Sequence, residues 1–190
     1  MKIKSVFIIL LSVVLFACNS NKKSKETKEP EQKILIAYYS LSGNTKAVAE
    51  QIQAKFGGDL FEIQPVTPYP NNEEEAIEII GRQRDENIKP ELSNKVGNMN
   101  EYNVVFIGTP IWFGTASLPI FSFVESYEFA GKTIIPFYTC GRGDEGTYVK
   151  DIQAICNGAT FLESFGNTRP EREAGTHTAK INQHLEQLTF

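Results

Sequence analysis

The chain has 190 residues, with 19 Lys and Arg against 23 Asp and Glu, a formal net charge of -4, and 41% hydrophobic against 22% charged residues. That mixture belongs to one ordinary globular domain, and three cysteines are too few for a disulfide-stapled miniature. No basic excess is present to neutralise phosphates, which argues against a nucleic-acid binder.

In chain order, Lys2 and Lys4 precede an apolar run from Val6 to Ala17 that only Ser12 interrupts. A basic start before a short apolar core is an export signal, shorter than the ~20 residues that span a bilayer. The run closes on Leu15-Phe16-Ala17-Cys18, which resembles the lipobox of bacterial lipoproteins. That resemblance implies a signal peptide over residues 1–17 and a lipid on Cys18, with the protein exported and membrane-anchored through that lipid alone. A plain signal peptide and an uncleaved signal anchor are the alternatives. Residues 18–32 continue as a tether, rich in Lys and Glu and without apolar residues to bury. From Ile34 onward 12 basic side chains face 20 acidic ones, so the folded part carries -8. Such a surface suits basic protein partners or neutral small molecules, and solvation alone also explains it.

Residues 33–190 alternate strand and helix. Lys33 to Tyr39 is a continuous apolar run, the pattern of a parallel strand buried on both faces. Val48, Ile52 and Phe56 form the stripe of an amphipathic helix that Gly57-Gly58 ends. Leu60–Ile63 predicts a strand, Glu73 to about Glu86 a helix, and Asn103–Gly108 a strand. Leu118–Tyr127 then reads as helix, Thr133–Tyr138 as strand and Glu145–Cys156 as helix. Ala159–Phe165 and Thr176–Leu188 complete the series. Five strands and five helices imply an α/β three-layer sandwich, with a parallel sheet in the order 2-1-3-4-5. Pro136 lacks an N–H, so its strand needs a bulge or a register in which that nitrogen has no partner. Residues 65–103 form the longest connection, and Pro65-Val-Thr-Pro-Tyr-Pro70 is expected to lie over the strand ends.

In such sheets a ligand sits where strand order reverses, at the carboxyl ends of the strands. After the first strand come Ser40, Leu41, Ser42, Gly43, Asn44 and Thr45, directly before a helix. Hydroxyls, a glycine and a helix start make an anion site without a cationic side chain, suited to a phosphomonoester. Ser and Asn also cap helices routinely. After the third strand, Pro110, Ile111, Trp112, Phe113 and Gly114 put two rings on a loop, where they either stack on a flat ligand or plug the core. After the fourth, Thr139, Cys140, Gly141, Arg142, Gly143 and Asp144 let backbone approach a ligand closely.

With these three loops the chain resembles the flavodoxin family, over essentially all of residues 33–190. Ser40-x-Ser-Gly-Asn-Thr45 is similar to the family's phosphate motif, Pro110–Gly114 to its first flavin loop and Cys140–Asp144 to its second. The resemblance implies a flavodoxin-like fold and FMN as cofactor. It also implies phosphate on Ser40, Ser42, Asn44 and Thr45, Trp112 on the ring, Cys140–Gly143 at the pyrimidine edge, and Tyr148 as a loose candidate for a second stacking ring. An acidic domain should disfavour the negatively charged reduced flavin and lower its potential.

Three functions follow: a one-electron carrier for a membrane redox partner; a flavoenzyme taking hydride from NAD(P)H and reducing a quinone; or a lipid-anchored binding module without flavin. No nicotinamide motif is visible, which favours the carrier. Cys140 and Cys156 flank an expected helix of ~12 residues, so ~18 Å should separate them and no bridge is expected. His177 and His184 lie two turns apart and read as surface residues without a shared metal.

Overall fold

The computed structural model describes residues 32–190; the expected signal peptide, Cys18 and nearly all of the tether lie outside them. The strands are β1 (Ile34–Tyr38), β2 (Asp59–Glu62), β3 (Val104–Trp112), β4 (Thr115–Ala116), β5 (Thr133–Cys140), β6 (Thr160–Phe161) and β7 (Phe165–Thr168). The helices are α1 (Asn44–Phe56), α2 (Glu73–Asp85), α3 (Leu118–Val124), α4 (Tyr148–Gln153), α5 (Arg169–Glu173) and α6 (His177–Gln187). The main sheet runs β2-β1-β3-β5-β6 and its pairings are parallel, which is the expected order 2-1-3-4-5 once β6 and β7 are taken as one interrupted fifth strand.

Every residue of β1 is buried, because the sheet has helices on both faces. Alternation sends Leu35, Ala37, Val105, Ile107 and Ile134 to the face covered by α2, α3 and α4. Ile36, Val104, Phe106, Ile135 and Phe137 go to the other, under Val48 and Ile52 of α1 and Ile181 and Leu185 of α6. Burying each Val, Leu, Ile or Phe among these contributes about 1.5–3 kcal/mol.

The fifth strand differs from its expected form for a physical reason. In a parallel ladder successive residues bond to opposite neighbours. Leu162 N donates to Ile134 O at 2.9 Å, so Pro136, two residues on, turns its nitrogen toward the same neighbour. That neighbour lapses between Phe161 and Phe165, opposite the residue that has nothing to donate. No bulge forms on the other side, where Ile107 pairs with Pro136 in unbroken register.

Three further expectations are corrected. The helix expected over 145–156 is confined to Tyr148–Gln153, because Glu145–Thr147 turns to approach the hairpin between β3 and β4. The helix expected to reach Tyr127 stops at Val124, and a short α5 precedes the last helix. β3 runs on to Trp112, so part of the expected aromatic loop is strand. Cys140 and Cys156 are both free and buried.

Candidate cofactor-binding site

At the carboxyl ends of β1, β3 and β5 lies a cavity of about 740 Å³. Leu41, Ser42 and Asn44 line one end; Pro110, Ile111, Trp112 and Phe113 a second side; Thr139, Cys140 and Gly141 a third. Three chain segments that are far apart in sequence, at residues 41–44, 110–113 and 139–141, therefore share one space.

The hydroxyl end is built on the start of α1. Gly43 takes φ +82, a left-handed conformation that suits glycine, and as N-cap it supplies no side chain to the helix. The first two amides of the helix, those of Asn44 and Thr45, are thus left to a ligand. Lys46 N donates to Ser40 Oγ at 3.2 Å, and Asn44 Nδ2 donates to Ser42 Oγ at 2.9 Å. The Ser42 hydroxyl keeps its own hydrogen to give. Thr45 is turned inward: it is buried, and its hydroxyl lies 2.9 Å from that of Thr139. It joins the β1 loop to the end of β5 instead of facing the cavity.

Trp112 divides the two readings of its loop. It lines the cavity, and its ring lies nearly perpendicular to Tyr39 and Tyr69, with centroids at 5.5 and 5.2 Å. Tyr69 belongs to the Pro-rich 65–70 stretch, which does reach the strand ends; its hydroxyl donates to Gln83 Oε1 of α2 at 2.6 Å. Burial pushes the Tyr69 phenol up to about 12 and the Tyr39 phenol higher still. Both therefore stay neutral around the indole. Phe113 is half exposed at φ +50, with the Arg84 guanidinium 4.1 Å above its ring.

The hairpin that carries Trp112 is clamped from behind. Thr147 N donates to Gly114 O at 2.8 Å, and the hydroxyls of Thr115 and Thr147 both donate to Asp151 Oδ2. Gly146 makes this approach possible, since a Cβ there would lie 2.0 Å from Gly114 O. Tyr148 is corrected outright as a stacking candidate. It is fully buried in the core, and its hydroxyl donates to Ile107 O at 2.6 Å.

Arg142, Gly143 and Asp144 turn away from the cavity and are exposed. Asp144 Oδ1 accepts from Gly146 N, and Cys140 Sγ donates to Gly143 O. Burial pushes the Cys140 thiol up, with Arg172 opposing.

Several lining residues have no counterpart in the three sequence loops. Asn71 and Ala76, Ile77 and Ile80 of α2 form a further wall, Ile77 half exposed at the rim. Arg169 and Arg172 of α5 form the wall beyond Gly141. The apolar stripe of α2 was legible; the cavity it faces was not. His184, expected at the surface, is half-buried, with its ring stacked 4.5 Å from Phe165 and its imidazole pKa held down by burial.

A neutral hydroxyl-and-amide corner, an indole-lined slot and backbone from β5, all facing one cavity under a parallel sheet in this order, define a flavodoxin-like flavoprotein. The flavodoxin family model matches residues 33–174, and the chain belongs to that family. A candidate flavoprotein of Bacteroides eggerthii DSM 20697 is 31% identical over 81% of this chain and 96% of its own, with a TM-score of 0.65. One of Bacteroides uniformis ATCC 8492 is 29% identical over 82% and 98%, with a TM-score of 0.68. A flavoprotein of Lactobacillus acidophilus NCFM, solved in complex with FMN, shares the fold at 24% identity over 75% and 97%, with a TM-score of 0.61. None of the curated proteins matches the chain.

Proposed function

We propose that the chain binds FMN and passes electrons, held at a bacterial membrane by a lipid on Cys18. The observation that carries the flavin reading is the convergence of the β1, β3 and β5 ends on one cavity of about 740 Å³. Its donors suit a phosphorylated, flat, partly apolar ligand, and the Lactobacillus neighbour of the same fold is a complex with FMN. The Ser42 hydroxyl, Asn44 and the first amides of α1 hold the phosphate. Trp112, Ile77 and Ile80 exclude water from the ring, and Thr139–Gly141 offers backbone groups to its polar edge. FMN supplies the redox chemistry; the chain tunes and shields it.

The lipobox and the tether support the anchor, and the charge of -8 on the folded part supports docking to basic redox proteins. The absence of a nicotinamide motif favours a carrier over an NAD(P)H-dependent quinone reductase. An absorption spectrum before and after FMN addition tests the first claim: a flavin spectrum in stoichiometric amount is expected, and a colourless protein overturns it. Replacing Trp112 by alanine should cost about 2 kcal/mol of FMN affinity, within the range for loss of an aromatic stacking partner; unchanged affinity removes the indole from the site. Rapid NADH oxidation with a quinone present would replace the carrier by the enzyme. An unmodified Cys18 in mass spectra from the native host would remove the anchor.

A further inference from the structure

The domain's acidic balance predicts a lowered flavin potential, but the walls of the cavity carry the opposite sign. Among the described side chains, the charged ones that line it are Arg169 and Arg172. Arg172 is the better defined. Its Nη1 donates to Asn167 Oδ1 at 2.6 Å and to Asn167 O at 3.3 Å, and its Nη2 donates to Cys140 O at 3.3 Å. All three acceptors are neutral, so they fix the guanidinium without an ion pair, and the carboxylates of Glu173 and Glu171 oppose its charge only through space. The neighbouring Glu171 is committed elsewhere: its carboxylate accepts from Thr168 N and from Lys180 Nζ, each at 2.7 Å. Asn167 is itself almost fully buried, which holds the arrangement rigid. A fixed, half-buried charge on the wall of a cavity acts more strongly than exposed surface carboxylates screened within about 8–10 Å by salt.

Two electrons and one proton leave a flavin with one more negative charge than it had when oxidised. We propose that Arg172 is a potential-setting residue, whose fixed positive charge makes the site favour the reduced, more negative form of bound FMN over the oxidised one. The reduction potential of the bound flavin then lies at or above that of FMN free in water, reversing what the net charge implies. This inference rests on the FMN reading of the cavity and assigns Arg172 no part in the electron transfer itself.

The test is a spectroelectrochemical titration of the FMN-loaded chain beside free FMN in the same buffer at pH 7.5. The expected result is a two-electron midpoint at or above that of the free flavin. Arg172→Gln should shift the oxidised-to-reduced equilibrium about tenfold toward oxidised, roughly 30 mV for a two-electron couple. Arg172→Lys should retain the native midpoint, and Lys55→Gln, an exposed charge in the last turn of α1, should leave it unchanged. A native midpoint below that of free FMN overturns the inference, and needs no variant to fold. So does an R172Q protein that binds FMN at the native potential, or an R172K protein that drops as far as R172Q. A chain that stays colourless with FMN overturns the flavin reading, and this inference with it.

Discussion

The two ends of the cavity meet negative charge by different means. At the start of α1 the described wall residues include no cation: Ser42, Asn44 and the helix amides of Asn44 and Thr45 offer several weak neutral donors. At α5 there are guanidiniums, one of them pinned by three neutral oxygens. Neutral donors arranged in a curve recognise shape as well as charge, and they suit a phosphomonoester that must be held in one pose. A pinned cation recognises charge through space and tolerates many poses. The first end should therefore decide which flavin is bound, and the second how easily that flavin is reduced.

The largest effect expected of that division is at Ser42. Serine 42 to alanine should weaken FMN by about 2 kcal/mol, the range for a hydrogen bond to a charged group, and leave riboflavin, which lacks the phosphate, nearly unchanged. Fluorescence quenching titrations with both flavins measure the ratio directly. Equal losses for both would mean that the hydroxyl end holds the ribityl chain or the loop itself, and the comparison would fail at its first term. R172Q should do the reverse, leaving the FMN-to-riboflavin ratio in place while moving the potential.

A somewhat smaller effect should come from the buried hydroxyl pair behind the same loop. Thr45 and Thr139 share a hydrogen bond out of water, so Thr139→Val strands the Thr45 hydroxyl at a cost of about 1–2 kcal/mol of folding stability. Valine at both positions should recover most of the loss, because no unpaired group remains. Urea unfolding of the single and double variants reads this out. A double variant as unstable as the sum of its parts would show that the hydroxyls position the loop by more than their mutual bond. Smaller again is the coupling between the two ends. In a cycle of S42A and R172Q, FMN affinities should add to within about 0.5 kcal/mol if the ends act independently.

How much of this was readable in the chain itself depended on what each residue's role rests on. Loops that directly follow a buried strand could be placed by counting, which is why Ser42, Trp112 and Thr139–Gly141 could be named as cavity residues in advance. Arg142–Asp144 could not be oriented that way, because the loop turns back when Gly146 packs against Gly114, a contact 32 residues distant in sequence. Arg169 and Arg172 escaped for a different reason. They follow the fifth strand, whose apolar run ends visibly at Phe165, whereas pairing with β5 carries it on to Thr168. The extra reach comes from Gly166 and Asn167, residues of low strand propensity that tertiary pairing overrides. Pro136 worked the other way: its missing N–H announced a disturbance correctly, but only the register showed that the neighbouring strand bears it.

The smallest expected effect tests the support beneath the cationic end. His184 of α6 stacks on Phe165, the first residue of β7, and burial holds its imidazole pKa below the ordinary value of 6.5, with Glu163 opposing. The folded chain therefore binds this proton less readily than the unfolded chain does. Stability from this group is fully present above about pH 6.5 and falls away as pH drops through the depressed folded value. His184→Gln should flatten the decline of unfolding free energy below pH 6.5 while changing little at pH 8, as followed by urea denaturation at a series of pH values. Because β7 leads straight into α5, protonation of His184 should also loosen the seat of Arg172. The native potential should then depart from that of H184Q only in the acid range. Parallel curves for the two proteins at every pH would uncouple the α6 seam from the cavity and leave Arg172 held by Asn167 and Cys140 alone.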